Sequence, residues 1–343
     1  MSYPRHPGRG FCPGSCPQKR RQPVTSSVRT RRASGPTGLP CLPGTMGSMD
    51  TVTEPVSFIS GGETLVGRLV VPAGLQNGRL AAVVIAGGQT CVKEQMAERC
   101  ARRLAEHGYA GLAFDFRGFG ESGGRPRDYE SSVRKIEDLR SALSFLAGRS
   151  AIDPGRLAAL GIGVGAGHVA VEAADDPRVA ALALVAPGLQ DSQIVQDRYG
   201  GAEGVAERRA RGEAARRRYE QSGQVDYEPV VSPDDPPGVV GFFLNPRRGG
   251  IPQWSNRFAV MAWPEWLDFD PISAAPKVTV PTLLVHSERA TDPEAARRFF
   301  DRLPGPKTEL WTDGIQFDFY DQEPQVTHAV SAVVEHLRTT FRR

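Results

Sequence analysis

Short runs of β-forming residues alternate with helical patterns of 12 to 20 residues from Val56 onward. A chain with this alternation joins its strands through crossover helices, so the strands are mostly parallel and both faces of the sheet are covered. The run 81–86 is apolar throughout, as expected of a central strand buried on both sides. The pattern therefore predicts the α/β class, with a doubly wound and mostly parallel sheet.

Two regions depart from this rhythm. The runs 56–59 and 64–71 are interpreted as an opening antiparallel pair. Between about 188 and 275 the strand pattern stops, and an Arg- and Glu-rich helical stretch is followed by a loop and an aromatic segment. A long insertion between two sheet strands most often covers a pocket. We therefore expect a helical lid insertion at about 188–275.

The first 48 residues differ in composition from the rest of the chain. They hold eight Lys and Arg, no Asp or Glu, and almost no periodic apolar pattern. Because such a segment cannot offset the entropy cost of ordering, residues 1–48 are predicted to be a disordered basic tail. It lacks the apolar region of a signal peptide, so we interpret it as sequence upstream of a start at Met46 or Met49, with an ordinary disordered tail as the alternative. The folded domain is expected to span 49–343.

Charge and composition exclude several classes of function. Residues 49–343 carry 34 basic and 39 acidic side chains, which indicates no surface for nucleic acid. No apolar run is long enough to span a bilayer. Only Cys91 and Cys100 lie in the folded part, which predicts neither a disulfide framework nor a metal site. We expect a cytoplasmic protein that binds a small hydrophobic molecule without metal or cofactor; a homodimer stays open.

A run of alternating glycines at 161–167 follows a predicted strand and opens a predicted helix. This is the context of a nucleophile elbow, G-x-S-x-G, whose strained turn requires small flanking residues. With Gly163 and Gly167 as the flanking residues, Gly165 stands where the serine belongs. The run also fits the G-x-G-x-x-A pattern of a dinucleotide site, but the next strand, 180–185, ends without an acid to bind the ribose. A nucleotide cofactor is therefore not expected.

Four further stretches occur in the order and spacing of one fold family. They are VKEQM at 92–96, FDFRGFGESGG at 114–124, VHSE at 285–288 and FDFYD at 317–321. With the glycine turn, they resemble the branch of the α/β-hydrolase superfamily near the dienelactone hydrolases and Xaa-Pro-peptidase-like esterases. The resemblance covers nearly all of residues 52–342 and implies the α/β-hydrolase fold.

All three positions of a catalytic triad depart from the hydrolase pattern. By the resemblance, Gly165 replaces the nucleophile, Ala290 replaces the acid after the strand that ends at His286, and Gln316 replaces the general-base histidine. Gln cannot accept and return a proton near neutral pH. Because nucleophile, base and orienting acid act as a unit, we do not expect ordinary serine hydrolysis.

Main-chain N–H groups remain as an oxyanion hole that polarises a carbonyl without a covalent step. The expected donors are those of Ala166 and of the turn 87–89. The substrate-binding candidates are Gly88, Gln89, Gly165, Ala166, Asp115, Arg117, Trp254 and Phe258. For Asp115 and Arg117 a structural salt-linked turn is the alternative, and for the aromatic residues packing inside the lid.

Four side chains are candidates for catalysis. His168 is a candidate for a relocated acid or base, Cys91 for a thiolate nucleophile, and Glu288 for the missing orienting carboxylate. Gln316 completes the set because of its place in the resemblance. The structural alternatives are a packed or capping histidine, a buried small thiol and a satisfied surface carboxylate.

Three functions follow from these residues. The favoured one is a non-hydrolytic lyase, isomerase or cyclase that acts on a hydrophobic carbonyl compound, such as a polyketide-like metabolite, through shape and oxyanion-type polarisation. The second is an esterase or thioesterase whose catalytic residues have moved. The third is a protein that binds a ligand without catalysis.

Overall fold

The computed structural model describes residues 49–74 and 78–342. Its strands are β1 (Thr51–Ser60), β2 (Glu63–Pro72), β3 (Leu80–Ala86), β4 (Ala110–Phe114), β5 (Ile152–Ile162), β6 (Val179–Val185), β7 (Tyr227–Glu228), β8 (Phe258–Ala259), β9 (Thr282–His286) and β10 (Lys307–Trp311). The predicted tail 1–48 lies outside the described residues.

Ten α-helices flank these strands within the described part of the chain. They are α1 (Ala97–Ala105), α2 (Ser132–Ala147), α3 (Gly165–Asp175), α4 (Ser192–Tyr199), α5 (Gly201–Ser222), α6 (Pro237–Phe243), α7 (Trp263–Asp268), α8 (Pro293–Arg302), α9 (Asp318–Asp321) and α10 (Gln325–Phe341). Short 3-10 helices cover Val260–Ala262 and Pro271–Lys277. None of the helices in 49–74 and 78–342 has the length and apolarity needed to cross a membrane.

Eight strands form one sheet in the order β1-β2-β4-β3-β5-β6-β9-β10. β2 pairs antiparallel with both β1 and β4, and every other pair in this sheet is parallel. The predicted α/β class and mostly parallel sheet are therefore confirmed, and so is the antiparallel opening pair. Between β6 and β9 the chain leaves the sheet and forms α4 to α7 with the small β7–β8 pair.

The sheet carries an apolar layer on each face. Alternate residues of β3 point to opposite sides, so Val83 and Ile85 join the layer that holds α1, α10 and the helices between β6 and β9. Val84 joins the opposite layer, which holds α2, α3 and α8. Because the parallel strands run in the same direction, their carboxyl ends meet at one edge, where ligands of open α/β sheets bind. The glycine turn after β5 lies at that edge.

Candidate functional site

The sharp turn between β5 and α3 has its apex at Gly163. Its φ of +60° lies in the left-handed region, whereas Gly165 is already the first residue of α3. An elbow places its nucleophile on the strained residue between strand and helix. Gly163 therefore takes the nucleophile position, and the expectation that Gly165 takes it is wrong by two residues.

The flanking small residues of the elbow are Gly161 and Gly165. A Cβ on Gly161 would lie 2.3 Å from the Cα of Ala166, and a Cβ on Gly165 would lie 2.3 Å from the carbonyl oxygen of Gly87. Helix and strands approach so closely at these two points that only glycine fits. Four glycines at alternate positions satisfy the motif in either register, which is why the sequence pattern alone led to the wrong one.

The hydroxyl of Tyr320 fills the space beside the apex. Its Oη lies 2.3 Å from the point that a Cβ on Gly163 would occupy. Gln316 Nε2 donates to Tyr320 Oη at 3.0 Å and to the Ala186 carbonyl at 2.7 Å, while Gln316 Oε1 accepts the Thr291 N–H at 3.0 Å. Because Thr291 only donates here and Ala186 only accepts, the orientation of the amide is fixed. Gln316 thus donates to the phenolic oxygen.

A cavity of about 110 Å³ opens over this turn. Gln89, Gln316 and Tyr320 supply polar groups to its wall. Its apolar wall consists of Val230, Val231, Val239, Phe243, Trp266 and Phe317. Of the described residues that line it, only Arg198 is charged, and this guanidinium pairs with the carboxylate of Asp292. The cavity is therefore suited to an uncharged, largely apolar ligand.

Two predicted oxyanion donors are engaged elsewhere. The Ala166 N–H donates to the Gly163 carbonyl at 3.2 Å, inside the turn itself. The Gly88 N–H contacts the Met96 sulfur at 3.3 Å and so points into the core. The prediction of Ala166 and Gly88 as ligand-binding donors is therefore wrong, because local contacts use their N–H groups.

Val164 and Gln89 are the turn residues that line the cavity. Gly188 has no side chain, which leaves room beside the main-chain nitrogen of Val164. A Cβ on Gly188 would lie 3.5 Å from that nitrogen. Within the described residues the buried Nε2 of Gln89 has no hydrogen-bond partner. A buried amide without a partner is costly, so a ligand oxygen at Gln89 would be stabilised.

His168 lies on α3, in the layer opposite the helices α4 to α7. Its ring stacks on Phe269 with the centroids 4.8 Å apart, and the described residues offer neither ring nitrogen a hydrogen bond. Burial, with a smaller contribution from the charge of Lys135, holds the pKa of His168 well below its usual 6.5. His168 does not line the cavity, so the structure contradicts its candidacy as an acid or base.

The buried imidazole leads to a prediction about acid stability. With the folded pKa of His168 depressed, the unfolded chain binds the proton first, so stability is present above about pH 6.5 and is lost as the pH falls. We expect His168→Phe to remove up to about 2 kcal/mol of the stability difference between pH 7.5 and pH 5. Urea unfolding at both pH values measures it. The exposed His328 serves as control, and an effect of equal size in His328→Phe would contradict the assignment.

Cys91 and Glu288 are also displaced from the cavity. Cys91 is 5% exposed, and burial raises the pKa of its thiol to about 12. A thiol with such a pKa is neutral at physiological pH and is a poor nucleophile. Glu288 is exposed and pairs with Arg297 on α8, so it does not orient Gln316. The structure contradicts both catalytic candidacies.

Asp115 and Arg117 stabilise the turn after β4. The buried carboxylate of Asp115 accepts a hydrogen bond from the Lys93 ammonium at 2.7 Å and another from the Glu121 N–H at 2.9 Å. The guanidinium of Arg117 lies 2.7 Å from the Asp138 carboxylate on α2. Neither residue lines the cavity, so the salt-linked turn is the correct reading and the ligand-binding one is wrong.

The two aromatic candidates pack beside the cavity and do not line it. Trp254 lies 4.9 Å from Phe243, ring to ring, and its Nε1 contacts the Thr90 hydroxyl at 3.4 Å. Phe258 is fully buried against Trp263 at 5.1 Å. Packing inside the insertion is therefore their role. The aromatic wall comes instead from residues nearer the mouth.

Of the residues predicted from the sequence, Gln316 and Gln89 line the cavity, whereas Tyr320, Val164 and Arg198 line it without having been predicted. Tyr320 belongs to the FDFYD stretch that directly follows Gln316, and this place in the motif is the sequence signal that marks it as a neighbour of Gln316.

Comparison with known proteins agrees with this architecture. The family model described as serine aminopeptidase, S33, matches residues 79–224. YcjY of Escherichia coli (strain K12) is 38% identical over 104 residues, 30% of this chain and 34% of YcjY, so the chain matches about a third of that relative. PA2218 of Pseudomonas aeruginosa is 29% identical over 282 residues, 76% of this chain and 74% of PA2218. Thiohydrolase aneE of Aspergillus aculeatus is 27% identical over 264 residues, 72% of this chain and 80% of aneE.

The crystal structure of PA2218 has the same fold. It superposes with a TM-score of 0.77 at 22% identity, over 89% of this chain and 99% of that chain. The sheet order and the sharp turn between β5 and α3 are those of the α/β-hydrolase fold. The chain therefore has the α/β-hydrolase fold, and its residues 79–224 resemble the family described as serine aminopeptidase, S33.

Proposed function

We propose that this protein is a non-hydrolytic enzyme that binds an uncharged hydrophobic carbonyl compound and polarises its carbonyl group. One observation carries the proposal: the hydroxyl of Tyr320 takes the space that a nucleophilic side chain would need beside Gly163. A phenol is a hydrogen-bond donor and general acid, and an acyl-enzyme route would need a nucleophile with a base beside it.

Gln316 sets the direction of the Tyr320 hydroxyl. Since Gln316 Nε2 donates to the phenolic oxygen, the phenolic proton is directed away from Gln316. Tyr320, Val164 and Gln89 all line the cavity, and we infer that a ligand carbonyl binds among them. A carbonyl oxygen at that point would gain electron density as an enolate or addition intermediate forms, and fixed donors stabilise that charge.

The substrate class follows from the rest of the wall. The valine, phenylalanine and tryptophan side chains offer no charge to a ligand, and Arg198 is compensated by Asp292. An extended, partly unsaturated ketone of the polyketide type has this chemistry: a long apolar body with carbonyl oxygens. The reaction class we favour is a lyase, isomerase or cyclase reaction through an enol or enolate, in which a water molecule accepts the proton from the carbon next to the carbonyl while the developing enolate oxygen is stabilised by hydrogen bonds.

The similarity to the thiohydrolase aneE favours a second candidate, thioester hydrolysis by water activated in the same cavity. It shares the donor set but needs a proton acceptor for the water. Gln316 is not one. Turnover of a p-nitrophenyl ester by the wild-type protein, without a fluorophosphonate adduct, would support this candidate over ours.

The direct test uses 2-acetylnaphthalene with a ¹³C carbonyl as an uncharged aromatic ketone. We expect the carbonyl stretch to fall in frequency on binding, and Tyr320→Phe to return part of that shift and weaken binding about fivefold, since one hydrogen bond is lost. Difference infrared spectroscopy and titration measure both. Tyr227→Phe, at an exposed tyrosine on β7, is the matched control and should leave both values unchanged.

Hydrogen–deuterium exchange of the bound ketone distinguishes catalysis from binding alone. Wild-type protein in D₂O should accelerate exchange at the carbon next to the bound carbonyl, and Tyr320→Phe should lose that acceleration. A bound ketone with a shifted carbonyl band but no faster exchange would identify a binding protein. A bound ketone with an unshifted band would overturn the proposed polarisation.

A further inference from the structure

A buried ion pair lies beneath the turn that carries Gln89. Lys135 Nζ on α2 is 2.5 Å from Glu130 Oε1, and the two side chains are 3% and 0% exposed. The rings of Phe116 and Phe119 cover the ammonium at 4.9 and 5.0 Å. Removing two charges from water costs about as much as their attraction returns, so such a pair contributes little net stability. Its place in the fold indicates another role.

The second oxygen of Glu130 holds the turn. Glu130 Oε2 accepts the N–H of Thr90 at 2.9 Å, across forty residues of sequence. Thr90 has a φ of +55°, a left-handed conformation that a β-branched residue adopts only at a cost of about 1–3 kcal/mol. A charged acceptor makes a stronger hydrogen bond than a neutral one, which offsets this strain. Trp254 Nε1 reaches the Thr90 hydroxyl at the longer distance of 3.4 Å.

Thr90 directly follows Gln89, which lines the cavity. The turn has one main-chain bond of its own, from the Cys91 N–H to the Gly88 carbonyl at 3.3 Å. A turn this weakly closed depends on Thr90 for its shape. The geometry points to Glu130, with its charge balanced by Lys135, as a positioning residue that fixes the Gln89 turn for a ligand carbonyl. This inference rests on the proposed function of the cavity.

The experiment removes the acceptor while keeping the charge balance. Glu130→Leu with Lys135→Met takes away both the charges and the acceptor, whereas Glu130→Gln with Lys135→Met keeps a neutral acceptor. Hydrogen exchange of the Thr90 amide, followed by NMR, should rise at least about tenfold in the first double variant and about fivefold in the second. Arg140→Met with Glu172→Gln, which removes another ion pair of α2, is the control and should leave Thr90 exchange unchanged.

The second measurement is the infrared band of bound 2-acetylnaphthalene, which a purely structural role would leave in place. We expect it to move back toward the unbound frequency in the order of the Thr90 exchange rates. A Thr90 rate equal to wild type in either folded double variant would overturn the positioning role. If only the variant Glu130→Gln with Lys135→Met folds, the expected fivefold rise in its Thr90 amide exchange rate remains the criterion. An unshifted carbonyl band in wild type would reject the proposed function alone, because Thr90 exchange tests Glu130 without it.

Discussion

Cys91 in the folded protein is expected to react with iodoacetamide at pH 8 about a thousandfold more slowly than in the unfolded chain. The thiolate is the reactive form, and burial raises the pKa of Cys91 from 9.0 to about 12. At pH 8 the ionised fraction then falls from about one in ten to about one in ten thousand. Peptide-resolved mass spectrometry after timed alkylation, with and without denaturant, measures the ratio.

The chain contains its own control for this experiment. Cys100 on α1 is also buried, and burial raises its pKa to about 12, so both thiols should be protected alike. Cys91 lies next to the turn that we propose binds the carbonyl group, whereas Cys100 lies on α1, away from that turn. Selective labelling of Cys91 at a rate above that of the unfolded chain would contradict the buried-thiol assignment and make Cys91 a nucleophile candidate again.

The fold could be predicted because its signals are local and repeated. The continuous apolar run of β3 and the apolar spacing of α1, where Met96, Cys100 and Leu104 share one buried face, follow from strand and helix periodicity alone. Each element adds independent support for the same class. An error of one or two residues at an element boundary leaves the sheet topology unchanged.

The site could be predicted only in part, because it depends on register and on distance in space. A two-residue shift in the glycine run moves the apex from Gly163 to Gly165 and, with it, the expected oxyanion donor from Val164 to Ala166. This shift changes neither the composition nor the periodicity of the glycine run. Gln316 was found because it belongs to a motif with a fixed place in the fold. Tyr320 was missed because its significance is its approach to Gly163, which no spacing in the sequence encodes.

Replacing Gly165 with alanine is expected to lower the free energy of unfolding by about 3 kcal/mol or more. The new Cβ would lie 2.3 Å from the carbonyl oxygen of Gly87 and 2.4 Å from that of Ala86. Both are main-chain atoms of the β3 end, which cannot move without disturbing the central strand. Urea unfolding with an unchanged denaturant slope measures the loss.

Gly163→Ala tests the complementary point, that a side chain at the apex competes with the Tyr320 hydroxyl. Part of its cost is the left-handed φ, which is the same in any background. The rest is the 2.3 Å contact with Tyr320 Oη; in Tyr320→Phe the nearest ring carbon lies at 3.2 Å. We therefore expect the cost of Gly163→Ala to fall by about 1 kcal/mol or more in the Tyr320→Phe background. The cost of Gly165→Ala should be the same in both backgrounds, since its neighbours belong to β3. Equal costs for Gly163→Ala with and without the hydroxyl would mean that Tyr320 does not occupy the space of a side chain at the apex.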